Sequence, residues 1–130
     1  MATKQQLQKL DRYVDCIYEL LQDQLSALRT SSDRQIQINR AIFARMLGQL
    51  LYDAPKLHTG MVSMRLIEAK LTDFTTKPTA EHHNGRQNGG EALLQLVDRA
   101  LYMKQPLDKA DVRQIAMQYC QVHYTTSEEN

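Results

Sequence analysis

Residues 7–28 read LQKLDRYVDCIYELLQDQLSAL. Apolar side chains fall at Leu7, Leu10, Val14, Ile17, Leu21 and Leu28, a 3-4-3-4 spacing broken only where Gln24 stands. Side chains three and four residues apart share one face of an α-helix, so the stretch predicts a single long amphipathic helix. Thr3 with Gln6 three residues on has the form of a capping box and sets the start near residue 4. Tyr13, Tyr18, Leu20 and Leu25 widen the apolar face beyond a two-stranded seam, which favours a bundle over a coiled coil. Gln24 has two readings: a polar seam residue that sets register with a partner, or a residue in solvent where the helix outruns its neighbours.

Ser31, Ser32 and Asp33 interrupt this pattern, and Ser32 with Gln35 repeats the capping-box spacing before a second helix that runs to about Tyr52. So short a link makes helices one and two antiparallel neighbours. Helix two carries Ile36, Phe43, Leu47, Leu50 and Leu51 on one side and Ile38, Ile42 and Met46 on another, which predicts a central position. Pro55 ends it or opens the next helix, with Asp53 placed as a cap. A third helix is expected to run to about Phe74 on the spacing of Met64, Ile67, Leu71 and Phe74; Gly60 marks its beginning or weakens its first turn.

From Thr75 to Gly90 the chain reads TTKPTAEHHNGRQNGG, with almost nothing apolar to bury, and predicts a flexible loop. Loops of that length inside a small domain are usually functional or disordered. A fourth helix is expected from Glu91 to about Lys104 with Asn88 as its cap, ended by Gln105-Pro106. Asp108 then caps a fifth, through about His123, carrying Val112, Ile115, Ala116, Tyr119 and Val122, and Thr125 to Asn130 reads as a frayed tail. The expected fold is all-α: a single domain over residues 1–130, a bundle of about five helices, with an N-terminal antiparallel hairpin and three shorter helices.

Composition agrees with one soluble-type domain. The chain has 130 residues, 42% hydrophobic and 24% charged, enough to bury a core. A net charge of +1 signals neither a polyanion-binding surface nor an acidic mimic of nucleic acid. No apolar run approaches the ~18 residues of a membrane span, and Met1 to Gln8 is too polar for the centre of a secretion signal. Cys16 and Cys120, both at positions that look apolar-facing, suit free thiols, so the expected location is cytoplasmic, with no membrane contact.

Chemistry-bearing patterns are sparse. His82 and His83 are adjacent and point apart in extended backbone, and no Cys-x-x-Cys or His-x-x-x-His pair fixes two ligands on one helical face. Asp11, Asp15, Glu19 and Asp23 recur every four residues and read as the solvated face of helix one rather than an acid–base pair. Asn84-Gly85 and Asn88-Gly89-Gly90 precede a helix but lack the Lys and hydroxyl of a phosphate loop. No catalytic, cofactor-binding or metal-binding residue is assigned, and no cofactor is expected.

The reading that remains is a small non-enzymatic helical protein acting through protein contacts or self-association, as an adaptor, regulator or small subunit of a larger complex. Its candidate contact residues are Tyr13, Tyr18, Gln24 and Tyr52 beside the apolar seams, and His82, His83 and Arg86 in the loop. The alternative is a nucleic-acid-binding regulator. Residues 29–70 hold seven basic side chains against three acidic ones, and Arg34, Arg40, Arg45, Arg65 and Lys70 would touch phosphate. At 100° per residue, however, Arg34 and Arg45 align on helix two while Arg40 points away, so no single stripe forms. Third stands an enzyme, which would need a polar pocket that the sequence does not foreshadow.

Overall fold

The computed structural model describes residues 2–30, 34–82 and 86–126, apart from the side chains at 34–38, 82, 86 and 87. The elements, in chain order, are α1 (Lys4–Thr30), α2 (Arg34–Asp53), β1 (Leu57–Val62), α3 (Met64–Thr72), β2 (Thr79–His82), α4 (Arg86–Met103), α5 (Lys109–Tyr119) and β3 (Gln121–Thr125). The fold is therefore mostly helical but not all-α. A three-stranded mixed sheet in the order β1-β3-β2 joins the bundle, with β3 parallel to β1 and antiparallel to β2.

The long first helix forms as its spacing predicts. The Thr3 amide donates to Gln6 Oε1 at 2.9 Å and the Gln6 amide to Thr3 Oγ1 at 3.1 Å, both halves of the capping box. Its deepest residues are Leu10, Val14, Ile17, Leu21 and Leu25. The burial period is thus that of a straight helix, 3.6 residues, and it drifts off a strict 3-4 seam between Leu21 and Leu28. Leu25 takes the core position that the strict pattern assigns to Gln24, which is half-buried.

At the centre stands α4. Leu93, Leu94, Val97 and Ala100 are buried against α1, α2 and α5, and α2 makes its most extensive contact with α4 rather than with α1. That contact is set by glycine. A Cβ on Gly90 would lie 2.0 Å from the Ala44 carbonyl oxygen and 3.2 Å from the Gly48 amide nitrogen. On Gly89 it would lie 2.6 Å from Leu51 Cδ1. The backbones of α2 and α4 therefore meet directly, with Arg40 holding Asp98 through two 2.8 Å hydrogen bonds further along.

This corrects the expected loop at 75–90. Gly89 and Gly90 belong to α4, where their lack of a side chain serves close approach rather than a turn, and residues 79–82 form β2. His83, Asn84 and Gly85 lie outside the described residues, as do the proposed cap Ser32 and the tail beyond Thr126.

The remaining corrections share one cause, strand pairing between distant segments. Residues 57–62, expected as part of the third helix, form β1, in which Gly60 sits at φ +86° and interrupts the register between His58 and Val62. Ser63 then caps a shorter helix, its Oγ accepting from the Leu66 amide at 3.1 Å. Asp108 caps α5 as expected, accepting from Ala110, but α5 stops at Tyr119. The spacing that seemed to carry it to Val122 continues into β3, whose Val122 and Thr125 are buried.

Gly90→Ala tests the α2–α4 crossing. Alanine's helix propensity favours it by about 1 kcal/mol, but the clash is with backbone and cannot be relieved by a rotamer change. A net loss of about 2 kcal/mol or more is expected in urea denaturation, whereas Gln95→Ala, exposed on the same helix, should change stability by less than about 0.5 kcal/mol.

Candidate functional site

Two surfaces are candidates, an apolar face on α3 and a polar cleft beside Tyr18. In α3 the single buried side chain is Leu66. At 100° per residue Met64, Ile67 and Leu71 form one stripe pointing away from Leu66, and all three are exposed. Met61 and Val62, at the end of β1, carry exposed apolar surface up to the start of that stripe. Phe74 carries it past the other end. The Thr75 hydroxyl and amide donate to Asp73 Oδ1 at 2.6 and 3.0 Å, a tight turn that presents the Phe74 ring outward between them. Those two bonds hold the Asp73 carboxyl below its ordinary value, the hydroxyl contributing most. The Lys70 ammonium lies 5.8 Å from the Phe74 ring centre.

The same surface has an irregular strand beside it. In β1 the Gly60 amide donates to His58 Nδ1 at 2.9 Å and the Met61 amide to Thr59 Oγ1 at 3.2 Å. Two of the strand's amides are thus satisfied by its own side chains, where its register with β3 is irregular.

The second surface is a cleft of about 710 Å³ where α1, the end of α4 and the start of α5 meet. Tyr18 forms its floor: its hydroxyl donates to the Leu107 carbonyl at 3.4 Å and accepts from Gln22 at 2.7 Å. Lys109 pairs with Asp15, which raises its pKa, and its ammonium lies 5.9 Å from the Tyr18 ring centre. Arg99 pairs with Asp111 at 3.0 Å. These charges are matched to each other, and the lining holds no His, Ser or Cys to act as base or nucleophile. No local pattern marks this cleft, because residues 96–111 form a cleft only where Tyr18, some eighty positions earlier, packs against them.

The residues expected to act at a site are not brought together. Tyr13 and Tyr18 pack on the core from α1, and Gln24, whose Nε2 is buried, has no hydrogen-bond partner among the described residues. Tyr52 is exposed near the end of α2, with Lys56 5.7 Å from its ring centre. His82 lies in β2 opposite Val122 and Arg86 opens α4, but their side chains, like all of His83, lie outside the description. Of the basic set, Arg40 is taken up by Asp98, Arg45 and Arg65 are exposed on different helices, Lys70 is half-buried, and the Arg34 side chain is not described. Among the described residues no group of three or more His, Cys, Asp or Glu is arranged to hold a metal ion, and no helix is long and apolar enough to cross a membrane.

What the sequence reading missed is the direction of α3. Met64, Ile67, Leu71 and Phe74 have helical spacing, but Leu66 on the other side marks the face that meets the rest of the protein. Both sides are apolar in sequence, so periodicity alone does not choose between them.

The thiols differ in the same way. Cys120 is fully buried with its Sγ 3.5 Å from the Leu51 carbonyl, and burial pushes its pKa up to about 11. Cys16, expected to face the core, is exposed. A thiol reagent at mild alkaline pH should therefore modify Cys16 in the folded protein and Cys120 only after unfolding. Between about pH 9 and 11 the unfolded Cys120 loses its proton while the folded one keeps it, so stability falls with rising pH in that window. Replacing Cys120 with Ala should make the fall shallower in pH-dependent denaturation. No protein-family model, curated protein or solved structure matches the chain.

Proposed function

We propose that this chain is a small non-enzymatic protein that works through protein–protein contacts, as an adaptor, regulator or small subunit of a larger complex in the cytoplasm. The observation that carries this reading is the exposed apolar face formed by Met61, Met64, Ile67, Leu71 and Phe74. Single exposed apolar residues are ordinary on protein surfaces, whereas a contiguous group of them marks a place that something covers. Methionine adapts to irregular partner surfaces, and phenylalanine supplies a large area with few rotatable bonds. The charged Tyr18 cleft supports an enzyme less well, since its cations Arg99 and Lys109 are already paired with Asp111 and Asp15 and Asp108 is engaged as a helix cap.

Nucleic-acid binding is the alternative. It has less support because Arg40 is engaged by Asp98, and the exposed Arg45 and Arg65 stand on separate helices rather than along one phosphate track.

The test is photo-crosslinking in native lysate, with a photoreactive phenylalanine analogue at position 74 and, as control, at the exposed position 95. Crosslinks to discrete protein that form at 74, survive nuclease and do not form at 95 are expected. Equal capture at both positions, or capture that nuclease abolishes, would end the protein-contact reading at this face.

A further inference from the structure

We propose that the partner covering α3 is a second copy of this chain, and that the Met64, Ile67, Leu71 stripe forms the centre of a symmetric dimer. The inference rests on reading this face as a protein contact and names its occupant.

Three observations lead to it. The first is exposure. Leu71 and Phe74 are 83% and 87% exposed and Met64 68%, and Met61, Val62 and Ile67 are exposed as well. So many large apolar side chains open to solvent between positions 61 and 74 exceed the scattered single exposures that are normal on a monomer. The second is shape. The stripe lies along one short helix whose single buried side chain, Leu66, is on the opposite side. The ridges of one such helix pack into the grooves between the ridges of another, so a second copy of the same helix supplies the surface that it needs.

The third observation is charge. Taking the stripe as centre, Glu68 lies about 70° to one side and Lys70 about 90° to the other, from the 100° helical step. A two-fold axis running along α3 brings unlike flanks together, so that Glu68 of one copy borders Lys70 of the other. An axis perpendicular to α3 would set Glu68 beside Glu68 and Lys70 beside Lys70. The stripe is thus self-complementary for a parallel pair, and a net charge of +1 offers little long-range repulsion between copies.

The experiment is sedimentation equilibrium of the full chain across a micromolar concentration series. The wild-type chain is expected to shift from monomer to dimer. Leu71→Glu, at a position already open to solvent, should leave circular dichroism unchanged, and the melting temperature too at dilutions where the wild-type chain is monomeric, while weakening association by about a hundredfold or more, because it buries an unpaired charge. Glu68→Lys should weaken it several-fold, and Glu68→Lys combined with Lys70→Glu should restore it, since both flanks are then exchanged. A wild-type chain that stays monomeric throughout, or a dimer unmoved by Leu71→Glu, overturns the proposal. If the chain is monomeric but position 74 still crosslinks to a different protein, the dimer fails and the protein-contact reading stands. If position 74 crosslinks to nothing selectively, both fail.

Discussion

Where a side chain would project from Gly90, the α2 backbone stands instead, with the Ala44 carbonyl 2.0 Å from the place a Cβ would occupy. The rest of the bundle depends on that contact. Two glycines in the first turns of a helix cost it about 1 kcal/mol each in propensity, and the structure recovers this through backbone-to-backbone packing that no larger residue permits. With α2 held so close, Leu47 and Leu51 reach Leu93, Leu94 and Val97 in one continuous core, and α1 and α5 close over the remaining sides of α4. The Arg40–Asp98 pair lies on the rim of the same crossing; its half-exposed partners contribute at most about 1 kcal/mol and serve more to orient than to stabilise.

The position of α3 follows from this arrangement. Once α4 is surrounded by three helices, the core has no open side left for a fourth. The segment between β1 and β2 is consequently held by the sheet and by Leu66, outside the main cluster of buried side chains. An apolar helix that cannot enter the core keeps its outer stripe in water, and this is how a chain of balanced charge and ordinary composition comes to have one strongly apolar face. The Tyr18 cleft arises differently, from the turn at Lys104, with φ 54°, that separates α4 from α5; its walls are polar because they are helix ends, where charged side chains cap and pair.

Local features were legible in the sequence to the extent that they are local. The Thr3–Gln6 box and the Asp108 cap depend on residues within a turn and form as read, and the apolar face of α1 does so through Leu21, beyond which Leu25 takes over, with Cys16 turned outward. The three strands were not legible. In β1 the string LHTGMV alternates poorly because it is bulged, and in β3 the Val122 that pairs with β1 falls on the helical spacing of α5. Strand propensity acts through partners, and here the partner of Leu57 is Gln121. Glycine was misread for a related reason: Gly89-Gly90 signals a loop when only neighbours in sequence are considered, and close packing when Ala44 and Gly48 are in view. The apolar spacing of α3 is legible as a helical period, but which of its faces meets the protein is a tertiary fact that the period does not contain.

The place of β3 at the middle of the sheet also sets an order in time. Both of its neighbours, β1 and β2, precede it in the chain, and it hydrogen-bonds to each while they do not pair with one another. During synthesis on the ribosome, β1, α3 and β2 therefore emerge with no strand to join until residues 121–125 have left the exit tunnel. The helical bundle can collapse earlier through the α2–α4 contact, whereas sheet closure waits on a join across some sixty residues, a contact of high sequence separation that forms slowly. For that interval the nascent chain shows both the unpaired strand β1 and the apolar stripe of α3.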